Sequence, residues 1–185
     1  MPYELTLGVL PHTTQAKYIY IARNPKDVAV SYYHHMHAFK TFEFSGSWDE
    51  FFDLYLAGRV PFGSGFDHVL GWWKHKDAEN VLFLKYEDLS SNLCEEVQKI
   101  ARFIFTDIPP ASVLDEVVKQ CSFDSMKVNP AANFSWTEKF RHSDQPFMRK
   151  GKVGDWRNYF TAEQNVAFDA LYAERMKDSG LDFEF

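Results

Sequence analysis

The sequence contains little cysteine and no long apolar run. Its 185 residues include only two cysteines, Cys94 and Cys121, and no CxxC pair. A disulfide framework is therefore not predicted, and we expect both thiols to be reduced and buried in an intracellular protein. No apolar stretch approaches the roughly 20 residues needed to cross a bilayer, and no basic segment followed by an apolar one opens the chain. We predict a cytoplasmic protein that does not associate with membranes.

Positive charge is also scarce overall. The formal net charge is −6 and the pI is about 5.6, which argues against nucleic acid or an anionic lipid surface as a partner. The GxxxxGK[ST] motif does not occur, so a kinase-like site has no support. Aromatic residues, by contrast, make up 17% of the chain. This composition predicts a globular protein, and the length fits a single domain over residues 1–185.

The strongest local signal is a strand that runs directly into a helix. The apolar run from Tyr18 to Ala22 predicts a buried strand of a parallel sheet. Arg23 follows, and then Asn24 as a helix cap, with Pro25 suited to the first helical position. Such a junction places a cation and free backbone N–H groups at the carboxyl edge of the sheet, where α/β proteins bind ligands. An ordinary turn whose Arg pairs with a surface carboxylate is the alternative.

A second apolar run, Val81 to Lys85, predicts a second buried strand. Its separation from the first strand by helical segments favours a right-handed parallel crossover. Helical spacing of apolar residues predicts five further helices, at 48–57, 66–76, 94–105, 111–121 and 163–177. Residues 122–154 show little periodicity, and we predict a functional loop there.

A short basic segment lies near the end of that loop. Between Pro146 and Arg157 four cations, Arg149, Lys150, Lys152 and Arg157, face a single acidic residue, Asp155. Glycines in the segment allow the backbone to approach a ligand closely, and consecutive N–H groups can bind an anion. These features favour a site for a small anion such as phosphate, which Arg grips well. A basic loop that simply faces solvent is the alternative.

Four motifs then occur in the order in which cytosolic sulfotransferases carry them. They are the Lys17 to Phe42 stretch, LKYEDL from Leu84, SFDSMKVNP from Ser122 and RKGKVGDWRNYFT from Arg149. The chain resembles this family over nearly its whole length. The resemblance implies an α/β fold like that of P-loop NTPases, with a three-layer parallel sheet flanked by helices and incomplete at its N-terminus. It also implies transfer of a sulfuryl group from 3′-phosphoadenosine 5′-phosphosulfate (PAPS) to a hydroxyl or amine of a small acceptor, leaving adenosine 3′,5′-bisphosphate and using no metal.

The resemblance also implies which residues bind the nucleotide. Arg23, Ser31 and Arg149 would hold the 3′-phosphate, with Lys150 and Gly151 beside it. The aromatic rings of Tyr86 and Phe123 would position the adenine, although both could instead be core residues. Phe147 and Met148 would line the nucleotide or the neighbouring acceptor wall. The full implied set is Arg23, Ser31, Tyr86, Cys121, Phe123, Met126, Phe147, Met148, Arg149, Lys150 and Gly151.

Two elements of the family pattern are missing from these residues. One is the TYPKSGTTW-like loop that contacts the 5′-phosphosulfate, and the other is the Lys-Thr-His pattern whose His is the catalytic base. Met1-Pro2-Tyr3 looks like the continuation of that pattern, so the base would precede Met1. We therefore expect a C-terminal portion of a sulfotransferase that is inactive alone, without catalytic residues of its own. The two predicted strands would then have an open edge and an uncovered apolar surface.

The remaining expectations concern metal, assembly and acceptor. The trio His34, His35 and His37 lacks the i, i+4 spacing of a helical zinc site, so no metal is predicted. The family's dimer element KxxxTVxxxE aligns with Arg157 to Val166, where Val replaces Glu, which leaves a homodimer open. Aromatic residues in the loops at 41–47 and 133–145 favour a phenolic or other flat hydroxylated acceptor.

A second interpretation of the sequence is a nucleotide-binding protein without catalytic activity. A short form that keeps only the grip on 3′-phosphoadenosine could act by sequestering nucleotide or by pairing with a full-length partner. His12, His68, His75 and His142 complete the histidines of the chain, and none lies in the catalytic motif.

Overall fold

The computed structural model describes Tyr3 and residues 14–140 and 147–185, with residues 138–140 described by their backbone only. Within these ranges the chain forms two strands and eight α-helices. The strands are β1 (Tyr18–Ala22) and β2 (Val81–Lys85). The helices are α1 (Pro25–Ala38), α2 (Trp48–Leu56), α3 (Gly65–Trp73), α4 (Tyr86–Ser91), α5 (Leu93–Ile104), α6 (Ala111–Gln120), α7 (Phe123–Val128) and α8 (Ala162–Met176). Across the described ranges, none of the helices is both long and apolar enough to traverse a bilayer.

The two strands pair in parallel, with Tyr18 opposite Val81 and Ala22 opposite Lys85. Both have the predicted bounds, and α1, α2 and α3 lie between them in the chain. The α/β class and the parallel crossover are therefore confirmed. Because parallel strands point the same way, their carboxyl ends meet at one edge, and both Arg23 and Tyr86 directly follow a strand there.

The main hydrophobic core lies between β1 and the helices α1, α2, α3 and α8. Its fully buried members include Phe51 from α2 and Phe168 from α8. The chain end joins the same core through Leu181 and Phe183. This packing fixes α1 against the last helix, so the segment just before α8 is held close to the start of α1.

Capping residues explain where the predicted helices begin. Ser47 and Glu50 form a reciprocal capping box at α2, and Asn92 caps α5 through the N–H of Glu95. Thr161 and Gln164 form a second capping box at α8. These three helices begin within a residue or two of the predicted positions, because their caps are visible in the sequence.

Several sequence expectations are wrong in detail. Cys94 and Cys121 are free thiols as predicted, but both are exposed rather than buried, because each lies on the solvent side of a helix end. The β1 strand is not buried on both faces, since Ile19 and Ile21 are 39% and 51% exposed. The predicted loop at 122–154 contains α7 and a 3₁₀ helix, Ser135–Phe140. Helix α4 was not predicted, because its six residues are too few to show a period.

Candidate functional site at the end of the first strand

The junction of β1 and α1 is built on buried polar groups. Asn24 is fully buried, and its Oδ1 accepts a hydrogen bond from the backbone N–H of Asp27 at 2.8 Å, which caps α1. The Asn24 backbone N–H and side-chain amide donate to Glu87 Oε1 at 2.8 and 3.1 Å. Glu87 lies in α4, directly after β2. The two strand ends are therefore tied together by one carboxylate.

Arg23 extends from this junction towards the basic segment. Its guanidinium lies over the ring of Tyr86, 4.4 Å from the ring centre. One terminal nitrogen, Nη2, donates to the backbone oxygen of Lys152 at 2.8 Å and lies 3.3 Å from Asp27 Oδ2. The Arg23 Nε is buried and has no hydrogen-bond partner among the described residues. An unpaired buried donor is costly, so this group fits a site that receives an anion.

The basic segment adopts a conformation that requires glycine at two places. Gly151 and Gly154 have positive φ angles of 63° and 86°. A Cβ on Gly151 would also lie only 2.1 Å from Cδ2 of Phe123. The backbone at Gly151 therefore packs directly against the Phe123 ring, which brings together two residues that the sequence resemblance assigns to the nucleotide.

The Asp155 carboxylate forms ion pairs with the first two cations of the basic segment. Arg149 Nη2 and Lys150 Nζ each lie 2.6 Å from one of its carboxylate oxygens, and Asn158 donates at 2.8 Å. Burial raises the pKa of Asp155, but the hydrogen bonds from Lys150, Arg149 and Asn158 outweigh that effect and lower it to about 2. The carboxylate is therefore ionised at neutral pH. Two of the four cations in the segment carry an internal counter-ion.

An open depression of about 750 Å³ lies over this segment. Its walls include Phe123, Lys127, Arg149, Lys150 and Gly151. Cationic side chains, a glycine backbone and one aromatic ring thus face the same space. This combination can bind a phosphate and stack a flat heterocycle.

His34 connects α1 to the residues that follow the depression. Its Nε2 lies 2.6 Å from the hydroxyl of Tyr159. Burial lowers the pKa of His34 to about 4, and the cationic Arg149 contributes in the same direction. The imidazole is therefore neutral at physiological pH.

A cluster of aromatic rings lies at the other end of α1. Phe147 contacts Phe134, with ring centres 4.6 Å apart, and also approaches Phe39 and His35 at 6.1 and 6.2 Å. His35 in turn lies against Phe42 at 5.3 Å. We call these five residues the aromatic cluster. Phe147 therefore lies with the apolar surface at the end of α1.

A separate, apolar cavity of about 260 Å³ is lined in part by Arg23. Tyr20, Tyr32 and Tyr55 line it, and the Tyr20 hydroxyl lies 2.8 Å from Nδ1 of His68. Burial raises the pKa of Tyr32 to about 12. Arg23 lines this cavity, and its contact with the basic segment is the hydrogen bond to the Lys152 backbone oxygen.

The structure places six of the eleven predicted nucleotide residues in two groups. Arg23 and Tyr86 form one contact pair, and Phe123, Arg149, Lys150 and Gly151 line one depression. Ser31 is exposed on α1, Cys121 ends α6, and Met126 lies half-buried in α7. Met148 is half-buried beside Arg149. The nucleotide roles of all eleven residues stay predictions.

The histidine trio has ordinary partners. His34 contacts Tyr159, His37 Nε2 lies 2.8 Å from the Gly46 carbonyl oxygen, and His35 belongs to the aromatic cluster. Among the described residues, no three acidic, His or Cys side chains are grouped so that they could hold a metal ion. His12 and His142 lie outside the described residues.

Comparison with known proteins decides the family. A family model described as the sulfotransferase domain matches residues 4–180. The chain belongs to the sulfotransferase family. It is 43% identical to mouse sulfotransferase 1B1 and 42% identical to human sulfotransferase 1C2, over 97% of its own length in both cases. In each case it spans 62% of the relative.

Solved structures agree with this assignment. The sulfotransferase chain superposes on mouse sulfotransferase SULT7A1 complexed with PAP with a TM-score of 0.82 and 39% identity, covering 97% of this chain and 64% of that one. It superposes on retinol dehydratase in complex with androsterone and PAP with a TM-score of 0.90 and 28% identity, covering 99% and 53%. The predicted family and its α/β fold are confirmed.

Sequence reasoning missed three residues that build the site of this sulfotransferase. The sequence motifs assign no role in the site to Asp27 or Glu87, and they give Asp155 only as the single acidic residue of the basic segment. All three are buried carboxylates with several donors. A usable signal was available, because each of these acidic residues lies inside one of the four motifs.

Proposed function

We propose that this sulfotransferase chain binds the 3′-phosphoadenosine part of PAPS and serves sulfuryl transfer to a hydroxyl or amine of a small acceptor. The observation that carries the proposal is the bond from Arg23 Nη2 to the Lys152 carbonyl, at 2.8 Å. It joins the two predicted phosphate-binding segments, which are 129 residues apart in sequence. A cation that follows β1 and a cationic loop with two glycines therefore form one site.

The residues present fit the nucleotide. Arg23 offers its buried unpaired Nε, and Arg149 and Lys150 offer charge at the edge of the depression. Phe123 and Tyr86 offer aromatic faces for the adenine. When bound, PAPS would supply the activated sulfuryl group, and these side chains would hold the 3′-phosphate and orient the adenosine. No metal has a role in this scheme.

The aromatic cluster supports an acceptor with a flat apolar body. Its rings at the end of α1 give a surface on which a phenol or a comparable hydroxylated molecule could lie. Retinol dehydratase binds androsterone in its solved structure, which is in keeping with an apolar acceptor. Dimer formation has a weaker basis, because Arg157 donates to the Phe185 carbonyl and Val166 stands exposed where the family motif has Glu.

A second function, nucleotide binding without transfer, is favoured by one observation. The groups that face the depression, Arg149, Lys150, Gly151 and Phe123, can grip a phosphate and stack a heterocycle, which is binding chemistry. Sulfuryl transfer also needs a general base, which accelerates a reaction about 10²- to 10⁴-fold. It further needs electrostatic stabilisation of the sulfuryl group that is transferred. The two sequence patterns that supply them in the family do not occur among the 185 residues. We therefore propose that the chain alone binds nucleotide and does not catalyse transfer.

Calorimetric titration with adenosine 3′,5′-bisphosphate tests the proposed site. We expect saturable binding that Arg149→Ala weakens by about 10- to 150-fold, because a hydrogen bond to a charged group contributes about 1.5 to 3 kcal/mol. Arg157→Ala is the matched control, since it removes the same charge from a side chain that points to Phe185. Equal binding by both variants would contradict the proposal.

Transfer is tested separately with radiolabelled PAPS and 4-nitrophenol. The expected result is no labelled product above background from the 185-residue chain. Labelled product that disappears in Arg149→Ala would instead show that the chain alone is an active sulfotransferase. The binding and transfer arms therefore separate the two functions.

A further inference from the structure

The Asp27 carboxylate connects the two halves of the anion site. It lies in the first turn of α1, and its side chain is completely buried. Oδ2 accepts from the backbone N–H of Gly154 at 2.7 Å, and Oδ1 accepts from that of Trp156 at 3.0 Å. The same Oδ2 also lies 3.3 Å from the Arg23 guanidinium. One side chain therefore contacts both the cation after β1 and the turn that follows the basic loop.

Helix capping does not explain these contacts. Capping of α1 is done by Asn24, whose Oδ1 receives the backbone N–H of Asp27. Asn24 also donates from its amide to Asp27 Oδ2 at 2.9 Å. A carboxylate that only served the helix dipole would gain little from burial. Its two further acceptor bonds go to residues 127 and 129 positions away in the chain.

We infer that Asp27 is a positioning residue that fixes the distance between the basic segment and Arg23. The two bonds from Asp27 fix the backbone on either side of Asp155, and Asp155 holds Arg149 and Lys150. Asp27 does not face the depression itself. Its effect on a ligand is therefore indirect, through the placement of Arg23, Arg149 and Lys150. This inference rests on the proposed nucleotide site.

The conservative variant Asp27→Asn tests this role. An amide replaces one acceptor oxygen by a donor, so at least one of the N–H groups of Gly154 and Trp156 loses its partner. We expect hydrogen exchange at these two amides to accelerate at least about 10-fold, because buried N–H groups exchange slowly only while they are bonded. Binding of adenosine 3′,5′-bisphosphate is expected to weaken at least about 10-fold, while exchange in β2 and α5 stays unchanged.

Glu96→Gln is the matched control. Glu96 is also buried and ion-paired, 2.6 Å from Lys99 in α5, but far in sequence from the loop. This variant is expected to change stability while leaving both loop exchange and nucleotide affinity at wild-type values. A general loss of stability and a specific loss of loop position are thereby distinguished.

Gly154→Ala perturbs the same contact from the Gly154 side. It is the variant to test if Asp27→Asn does not fold. Alanine is strained at a φ of 86°, and this strain is expected to loosen the turn, whereas the Arg157 side chain, whose Nη1 would lie 2.5 Å from the new Cβ, can move aside. The same selective loss of protection at residues 154 and 156 is expected. Unchanged loop exchange in the folded variant would overturn the inference. If the wild-type chain binds no nucleotide, the proposed function fails, but loop exchange still decides the role of Asp27.

Discussion

The residues that follow the carboxyl end of β1 differ sharply from the residues within the strand in how well their side chains are covered. Beyond its carboxyl end, Asn24, Asp27 and Glu87 are buried, and each makes several hydrogen bonds. Along the strand itself, Ile19 and Ile21 are 39% and 51% exposed and belong to a sheet of two strands among the described residues. The polar groups at the strand end are thus buried and mostly paired, with the Arg23 Nε left without a partner among the described residues, whereas apolar groups on the neighbouring face are open. The comparison indicates that the proposed anion site is ordered mainly by hydrogen bonds within the chain, while the strand face still lacks a covering surface among the described residues.

The largest expected effect comes from the packing beneath the anion site. Phe168→Ala should lower the free energy of unfolding by about 3–5 kcal/mol, because it leaves a cavity in a fully buried position. Lys26 lies 5.8 Å from this ring and is ion-paired to Asp169, so α1 should loosen as well. Urea denaturation followed by circular dichroism measures the change. A loss below 1 kcal/mol would mean that the core does not support this end of the sheet.

Asp155→Asn should have an intermediate effect, about 1–3 kcal/mol, because Arg149 and Lys150 lose a shared partner. The effect should depend on pH. The folded pKa of about 2 is below the ordinary 3.8, so the carboxylate stabilises the fold above about pH 4, and this contribution disappears as the pH falls towards 2.

Urea denaturation of Asp155→Asn and wild type at several pH values between 7 and 2 measures this dependence. The difference between the two proteins should be full at neutral pH and should vanish at the acid end. A difference that stays constant across the range would contradict the ionic role of Asp155.

The smallest effect is expected on the open face. Ile21→Thr should change the free energy of unfolding by no more than about 0.5 kcal/mol, because surface substitutions rarely do more. Val30→Thr is the matched comparison, since Val30 is only 1% exposed and a buried hydroxyl costs about 1–3 kcal/mol. Ile21→Thr should also reduce self-association, measured by analytical ultracentrifugation. Similar destabilisation by both variants would remove the contrast between the open face of β1 and the buried face of α1.

The sequence predicted the framework better than the connections within it. Strand bounds and helix starts follow from local signals such as the apolar runs at β1 and β2 and the caps Ser47 and Asn92. The link from Asp27 to Gly154 could not be predicted in that way, because it depends on how α1 and α8 pack together. The predictions of which side chains are buried were wrong for a related reason. Whether Ile21 or Cys121 meets another surface is decided by the tertiary arrangement, and their side-chain types do not reveal it.

The pairing of Asp155 with Arg149 and Lys150 would make binding of the proposed phosphate ligand an exchange of counter-ions. A phosphate that enters the depression meets cations that already hold a carboxylate, so little net charge is gained from long-range attraction. Long, flexible polyanions such as nucleic acids would find few unpaired charges here. A compact anion gains an advantage only if its oxygens match the fixed positions of the donors. Selectivity for a single phosphate would then arise from geometry, in a chain whose net charge of −6 disfavours anions generally.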